Sequence, residues 1–323
     1  MTAAVRPGPA PSGDGLPGDV PATPAALRRL VADGRWTGPT AGLLDGYQQA
    51  NLVIVPRDLA FDFLLYCTRN PAPCPVLAVT EPGDPVVRLG TTVADLRTDL
   101  PRYRVWHNGE LTAEPHDITA HWRPDAVGFL LGCSHTFEGP LRAAGVPVRY
   151  APQSAAPPVY ITDRATRPAG RLSGPLVVSM RAIPARLVAR AIEITARYPA
   201  GHGAPVHIGD PATLGIADLA RPDFGPSPVI EEGDVPVFWA CGVTPQLALP
   251  AARAPYTIAH YPGHMFVFDH TVDAGPEPEM PDGAPRRVPP ASGPPRPPTS
   301  SAPAAWSPST TTAGPTSPKA TTT

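Results

Sequence analysis

The chain has 323 residues, of which 49 are proline and 29 are glycine, and its formal net charge is −2 with 17% charged side chains. This balance lacks the basic surface that binds nucleic acid, and no apolar run approaches the ~20 residues of a membrane-spanning helix. We therefore expect neither a nucleic-acid nor a membrane partner. The only lysine is Lys319, so a mechanism that needs a Schiff base on a core lysine is excluded.

Proline is concentrated at the two ends of the chain. Residues 275–323 contain 14 prolines, and both ends are poor in large aliphatic side chains. Such segments bury too little apolar surface to offset the entropy of ordering, so we predict that residues 1–23 and 275–323 are disordered. Residues 24–274 are predicted to form one α/β domain with two lobes, which meet near 150–170.

Cysteine usage indicates the compartment. The four cysteines form no CxxC pair and are too few for a disulfide scaffold. The first residues lack the apolar segment of a signal peptide. We therefore expect a reduced, cytoplasmic protein, and the sequence leaves open whether it forms a homo-oligomer.

Helices are predicted where a capping residue or a proline precedes apolar side chains at helical spacing. They run over 24–33, from Pro56 to Asn70, from Ser134 to near Gly145, and from Pro184 onward. Short apolar runs predict strands at 52–55, 76–79, 127–131, 176–180, 206–208, 235–239 and 265–268. Asn108-Gly109 between two further runs predicts a hairpin. Because strands alternate with helices, the sequence predicts a mixed α/β fold of mostly buried sheets covered by helices, with antiparallel pairing at the hairpin.

Glycine-containing junctions directly after predicted buried strands are the first candidate ligand sites. Three of them are Gly132–His135, Gly209–Pro211 and Ala240–Thr244. Backbone N–H groups at a following helix N-terminus favour a carboxylate or a phosphate. Alternatively, the glycines serve only to make tight turns.

Cys133 and Cys241 each follow an apolar strand, at the predicted start of a helix. This position is expected to lower the pKa of a thiol, which suits a nucleophile or a proton donor. The alternative is a small buried side chain. Cys67 and Cys74 are assigned to the core and to a structural role.

Histidine is the usual general acid or base near neutral pH, and His202, His207 and Asp210 lie close together in the sequence. We predict that His202 or His207 moves a proton and that Asp210 orients it. His260 and His264 form a second pair. The spacing of these histidines matches no compact zinc signature, and proline and glycine interrupt both pairs. No metal and no cofactor are therefore predicted.

Arg181 follows a buried strand, where its guanidinium can hold a substrate carboxylate through two parallel hydrogen bonds. Arg69 at a helix end is a second candidate, and structural salt bridges are the alternative for both. Ser134 and Glu138 lie near Cys133, and Glu138 is a candidate acid. The chain lacks a Walker A motif, a GxSxG elbow, an HExxH motif and a GxGxxG loop after a strand.

Seven segments together resemble one known family. In chain order they are Gln49–Leu52, Arg69–Pro75, Gly132–Glu138, Val177–Arg181, His202–Pro211, Pro236–Gln246 and Pro262–Met265. They are similar to the hydro-lyase family that is related to the N-terminal region of mitochondrial D-glutamate cyclase, over about residues 25–270. The resemblance implies a carbon–oxygen lyase. The cyclase closes glutamate to 5-oxoproline with release of water, but it carries a second, C-terminal domain for which residues 275–323 are too short and too rich in proline.

The leading hypothesis is a cytoplasmic lyase that acts on a small carboxylate, such as an amino acid or a hydroxy acid. The predicted catalytic residues are His202, His207, Asp210, Cys133 and Glu138. The predicted substrate-binding residues are Arg181, Ser134, Cys241, Gly242, Thr244, Arg69 and Asn51. Water removal needs an acid and a base, so the hypothesis requires these residues to converge on one pocket.

Three alternatives stay open. The chain can be a non-catalytic protein that binds a small metabolite at the same pocket. It can be a metalloenzyme with histidine and cysteine ligands. It can also be a scaffold whose proline-rich tail, with Pro294–Pro298 suited to a polyproline helix, recruits partners.

Overall fold

The computed structural model describes residues 21–150 and 156–274, so most of segment 1–23 and all of segment 275–323, both predicted to be disordered, lie outside the described residues. The helices are α1 (Pro24–Ala32), α2 (Arg57–Arg69), α3 (His135–Ala143), α4 (Val188–Thr195) and α5 (Val243–Ala251). The strands are β1 (Tyr47–Pro56), β2 (Val76–Val79), β3 (Val86–Leu89), β4 (Thr92–Asp95), β5 (Tyr103–His107), β6 (Glu110–Ala113), β7 (Ala126–Gly132), β8 (Val159–Ala165), β9 (Pro175–Pro184), β10 (His207–Ile208), β11 (Asp234–Ala240), β12 (Thr257–His260) and β13 (Phe266–Thr271). None of the described helices is long and apolar enough to span a bilayer.

The strands form two larger sheets and a separate hairpin. The first sheet has the order β2-β7-β1-β12-β5-β6, and β13 also pairs with β1. The second sheet has the order β10-β11-β9-β8, and β3 pairs with β4. Every pairing between described strands is antiparallel, which extends far beyond the one predicted hairpin. The predicted mixed α/β class, with sheets and covering helices, is confirmed.

Local sequence explains several element boundaries. Thr23 caps α1, because its Oγ1 accepts a hydrogen bond from the Ala26 N–H at 3.3 Å. α2 ends at Asn70, before a proline, as the sequence predicts. In the β5–β6 turn Asn108 and Gly109 both have positive φ, at 52° and 85°. That conformation is the one a type I′ hairpin turn requires.

Alternate residues of β1 pack on opposite faces of the first sheet. Leu52 and Ile54 join a core that the β3–β4 hairpin covers. Val53 and Val55 join a second core, which α2 and α5 cover. Because both faces are covered, β1 is buried along nearly its whole length. This accounts for its uninterrupted apolar run.

The second sheet is also covered on both faces. Phe137 of α3 and Ile194 of α4 pack with Trp239 of β11 on one face, and Leu214 and Ile216 cover the other. α3 continues from β7 of the first sheet, and α5 continues from β11 of the second sheet and packs on the first. The chain therefore crosses between the sheets twice, directly after β7 and directly after β11.

Some elements differ from the sequence prediction. β3, β4, β8 and β12 are missing from it, because they mix apolar residues with polar or charged ones. β2 is not a buried strand: Val76 and Val79 are each 38% exposed, since only β7 pairs with this edge strand. The lobe boundary near 150–170 stays a prediction. β12 and β13 return to the first sheet after the strands of the second sheet.

Gly132, the last residue of β7, packs directly on the loop before His202. A Cβ at this position would lie 1.5 Å from the Ala200 carbonyl oxygen and 3.1 Å from Pro75 Cγ. Glycine is required because only a residue without a side chain allows the two backbones to approach this closely. The approach fixes the loop against the end of β7.

We expect Gly132→Ala to lower the free energy of unfolding by about 3 kcal/mol or more, because the methyl group collides with backbone atoms that cannot rotate away. Gly38→Ala is the matched control, since no atom lies within 4 Å of a Cβ there. Urea denaturation of both variants measures the difference. Similar unfolding midpoints for the two variants would contradict the close approach.

Candidate active site

The junctions after β7 and β11 lie next to each other. Asn51 connects them, because its Nδ2 donates a hydrogen bond to the Gly132 carbonyl at 2.8 Å. Gly242 packs so closely on this amide that a Cβ there would lie 2.2 Å from Nδ2. Cys133 and Cys241 are close enough for Cys241 to contribute to the raised pKa of Cys133. Two of the three predicted junctions therefore converge.

Arg181 on β9 is buried and bonded to the residues around α3. Its Nε donates to Glu138 Oε1 at 3.1 Å, and its Nη2 donates to the same oxygen. Nη2 also donates to Ser134 Oγ at 2.9 Å, and Nη1 donates to Ser179 Oγ at 2.7 Å. All three guanidinium nitrogens thus serve internal partners, and a substrate carboxylate would have to displace one of them.

Glu138 is the acceptor at the centre of this network. Tyr150 Oη donates to its Oε1 at 2.6 Å, and its Oε2 lies 3.3 Å from His135 Nδ1. Burial would raise the pKa of Glu138, but the charges of Arg181 and His135 outweigh it and hold the pKa well below the usual range. The carboxylate is ionised at neutral pH, so it lacks the proton that the predicted acid role needs.

His202 is buried and has a left-handed backbone, with φ of 82°. A non-glycine residue pays about 1–3 kcal/mol for such strain, and strained residues cluster at functional sites. His202 Nδ1 lies 2.7 Å from the Ala72 carbonyl oxygen. Because a carbonyl oxygen only accepts, Nδ1 carries the proton and Nε2 carries the lone pair.

The His202 ring is neutral at pH 7. Burial lowers the pKa of His202 to about 4, and the charge of Arg181 adds to the shift. The preceding residue, Gly201, packs on the β7 junction: a Cβ there would lie 3.2 Å from the Cys133 carbonyl oxygen. A neutral proton acceptor therefore lies next to a residue that packs on the β7 junction.

The thiols differ from the sequence prediction. Burial raises the pKa of Cys133 to about 12, although a hydrogen bond from the His135 N–H opposes the shift. Burial also raises the pKa of Cys241. The predicted lowering is wrong in direction, because desolvation of the thiolate outweighs the backbone donors at the helix N-terminus. Both side chains are thiols at neutral pH, so they can donate a proton but are not preformed nucleophiles.

His260 on β12 lies near the same junctions. Its Nδ1 faces two N–H donors, the Leu52 N–H at 3.2 Å and Gln246 Nε2 at 3.4 Å, and one acceptor, the Leu52 carbonyl at 3.4 Å. The two donors make Nδ1 the acceptor, so Nε2 carries the proton. Burial lowers the pKa of His260 to about 4. His260 is thus a neutral donor, whereas His202 is a neutral acceptor.

His207 and Asp210 form a surface turn. His207 Nε2 lies 2.8 Å from the Asp210 carbonyl oxygen and 2.8 Å from Thr213 Oγ1. The Asp210 carboxylate accepts a hydrogen bond from the Ala212 N–H at 3.0 Å and caps a short helix. The Asp210 carboxylate therefore holds its own turn, and the contact with His207 comes from the backbone.

This turn lies on the other side of the second sheet from Arg181. His207 stacks on Phe238, with ring centroids 5.7 Å apart. Phe238 pairs with Met180, the residue before Arg181 on β9, and neighbouring residues of a strand point to opposite faces. The predicted convergence of His207 and Asp210 with Arg181 is therefore wrong.

Two predicted substrate-binding side chains have structural partners. Thr244 Oγ1 accepts a hydrogen bond from the Val177 N–H at 3.0 Å and ties the start of α5 to β9. The exposed Arg69 donates to the Pro168 carbonyl. Thr244 therefore serves to fix the β11 junction to β9, and Arg69 contacts neither of the converging junctions.

Sequence reasoning placed His135 in the junction after β7 but missed three other polar partners of the centre: Tyr150, Ser179 and Gln246. Ser179 lies two residues before Arg181, so proximity was an available signal. Tyr150 and Gln246 had no local signal that distinguished them. Within residues 21–150 and 156–274 no group of three or more His, Cys, Asp or Glu side chains is arranged to hold a metal ion.

The charged centre is closely packed. A cavity of about 10 Å³ lies beside Arg181, between Tyr150, Pro158 and Val229. It has room for about one water molecule. Cys241 is partly exposed, unlike the other three cysteines, so the centre reaches solvent at the β11 junction.

Sequence comparisons show which known proteins this chain is similar to. A family model described as D-glutamate cyclase matches residues 127–269. A protein of Stutzerimonas stutzeri named "Putative hydro-lyase" is 58% identical over 247 residues, which cover 76% of this chain and 93% of the relative. A protein of the same name from Rhodococcus opacus is 54% identical over 263 residues, or 81% and 99% of the two chains.

Among solved structures, a nitrogen repressor-like protein of Methanococcus jannaschii aligns over 77% of this chain and 98% of its own, with 12% identity and a TM-score of 0.33. A score this low supports no conclusion about the fold. The sequence relatives are far closer, and they match nearly their whole length. The chain therefore belongs to the hydro-lyase family that is related to D-glutamate cyclase.

Proposed function

We propose that this protein is a carbon–oxygen lyase that removes or adds water at a small carboxylic acid, with His202 as the proton acceptor. The observation that carries the proposal is the His202 side chain. It is buried and neutral, and its Nδ1 proton is engaged by the Ala72 carbonyl. Its strained backbone directly follows Gly201, which packs on the β7 junction. This arrangement leaves the Nε2 lone pair for a substrate proton.

The second proton-transfer group in this scheme is Cys133. In the elimination direction, the substrate C–H or N–H proton passes to His202 Nε2. The electron pair that it leaves forms a C=C bond in an elimination or a C–N bond in a cyclisation, and the carbon–oxygen bond breaks. The leaving oxygen takes the Cys133 thiol proton and departs as water. The thiolate is stabilised by the His135 N–H and regains a proton as His202 releases its own to solvent. An anionic substrate beside His202 would raise the pKa of the ring towards neutrality, which improves it as a base.

Arg181 and Glu138 act in the proposal as positioning residues. Arg181 holds Ser134 through Nη2, directly after Cys133, and anchors α3 through Glu138. The N-termini of α3 and α5 both start at the converging junctions and favour negative charge there. The two helix starts therefore stabilise the charge that develops as the carbon–oxygen bond breaks.

D-Glutamate is the first substrate to test, because the matching family model carries the cyclase description. Purified full-length protein is incubated with D-glutamate and with a panel of hydroxy acids and amino acids. Mass spectrometry follows the loss or gain of one water. A panel compound that stabilises the protein but is never converted would favour the non-catalytic binding alternative. The cytoplasmic location stays a prediction.

We expect His202→Asn to lower kcat by about 100-fold or more, because the base is lost while asparagine tolerates the left-handed backbone. His207→Asn is the matched control, since its ring lies on the other face of the second sheet, and its kcat should stay within about twofold of wild type. Thermal unfolding checks that both variants are folded. Equal losses in the two variants would contradict the assignment.

The neutral histidines also make stability depend on pH. The folded pKa values of His202 and His260 are about 4, against an ordinary value of 6.5. Between these values the unfolded chain binds more protons than the folded protein, so the free energy of unfolding falls as pH drops from about 6.5 towards 4. Each histidine contributes up to about 3 kcal/mol to this loss.

Urea denaturation at about pH 7 and pH 5 measures the difference. His202→Asn should be less sensitive to pH than wild type. An unchanged sensitivity in the His202 variant would show that this ring is not held neutral.

A further inference from the structure

Arg102 and Arg104 form an arginine pair at the far end of the candidate site. The Cζ atoms of Arg102 and Arg104 lie 4.2 Å and 4.7 Å from the centroid of the Tyr261 ring. Both arginines share the carboxylate of Glu114: Arg102 Nη2 donates to Oε2 at 3.1 Å, and Arg104 Nε donates to Oε1 at 2.9 Å. Among the described residues Glu114 is the only carboxylate paired with either arginine, so the pair keeps one excess positive charge.

The pair has hydrogen-bond donors that no described residue accepts. Arg102 Nε is buried and has no partner within residues 21–150 and 156–274. Arg104 is only 8% exposed, and the contact of its Nε with Glu114 is the one hydrogen bond of its side chain within the same ranges. A buried donor without an acceptor is rare in a native protein, and an unseen ligand is one physical reason for it. The chemistry of these donors calls for an anion with several acceptor atoms.

The arginine pair is continuous with the proposed active site. The backbone of Arg104 pairs with Ala259, the residue before His260 on β12. The charge of Arg104 contributes to the lowered pKa of His260. The loop after Tyr261 leads to Met265, which packs on Cys133. The segment 261–265 thus contacts the arginine pair through Tyr261 and packs with the proposed proton donor, Cys133, through Met265.

We propose that Arg102 and Arg104 form the subsite that binds the carboxylate of the substrate. This inference rests on the proposed function and deepens it, because it assigns the substrate's anionic group to a place that Arg181 does not occupy. The two Nη atoms of Arg104 form a planar fork that matches the two oxygens of a carboxylate. The guanidinium of Arg102 lies against the same ring and adds a second positive charge. A neutral amide in place of the carboxylate loses the charge attraction and is excluded.

The test measures binding without turnover. Glutarate is the probe, because it has the two carboxylates of glutamate but neither an amine that could attack one of them nor a hydroxyl that could be eliminated, and glutaramide is its neutral counterpart. Isothermal titration calorimetry on the full chain compares wild type with Arg104→Gln and Arg102→Gln. We expect glutarate to bind wild type and each variant to bind it about 10- to 100-fold more weakly. Glutaramide should bind none of them measurably.

Arg123→Gln is the matched control. Arg123 also stacks on a tyrosine, with its Cζ 5.3 Å from the Tyr256 centroid, and its Nε also donates to a carboxylate, that of Asp125, at 3.1 Å. The Arg123→Gln variant should bind glutarate as tightly as wild type does. Arg104 is buried, so circular dichroism checks the fold of its variant. Arg102 is more exposed, so Arg102→Gln still tests the proposal if Arg104→Gln does not fold.

Each outcome decides the proposal independently of catalysis. Arginine-dependent glutarate binding supports it even when no panel acid is converted, and in that case only the proposed reaction fails. The subsite is overturned if wild type does not bind glutarate, or if Arg102→Gln binds it as tightly as Arg123→Gln. It is also overturned if inorganic phosphate binds in an arginine-dependent way while glutarate does not, because the site would then be a phosphate site.

Discussion

The buried ion pair between Arg181 and Glu138 is the interaction on which the candidate site depends. It joins β9 of the second sheet to α3, which continues from the first sheet. Removing two charges from water costs several kcal/mol for each, so the pair needs good geometry and further hydrogen bonds. Tyr150, Ser134 and Ser179 supply them. The ion pair thereby fixes the end of β7, and with it Cys133, against the second sheet. Its value lies more in specifying this one arrangement than in net stability.

The arginine–carboxylate group around Arg181 and the one around Arg102 and Arg104 differ in how fully their donors are used. Arg181 directs all three nitrogens to protein atoms, which suits a fixed support. Arg102 and Arg104 divide one carboxylate between them and leave a buried nitrogen without a described partner. Burial alone therefore does not distinguish a structural arginine from a binding one. The balance of donors and acceptors around the guanidinium does, because a satisfied network has no affinity left for a ligand.

The sequence was sufficient for the local features of the fold and for part of the site. Apolar spacing and capping residues located the helices, and the glycine junctions led to Cys133, Gly242 and the neighbourhood of His202. It did not predict the strands β8 and β12, whose polar residues interrupt the apolar signal. It also placed His207 with His202, because proximity along the chain does not reveal that Phe238 and Met180 turn His207 to the other face. The thiol pKa shifts depend on burial, which only the folded structure provides.

The place of β1 in the first sheet has a consequence for synthesis of the protein. β1 pairs with β12 and β13, which come from the other end of the described domain, and the contacting Leu52 and His260 are 208 residues apart in the chain. A chain still emerging from the ribosome cannot complete this sheet until almost the whole domain has been made. Meanwhile β1 keeps an open, strongly apolar edge, which is the type of surface that associates with other chains. Folding of this protein is therefore governed by a late, long-range closure, and chaperone protection is most valuable before Thr257 is translated.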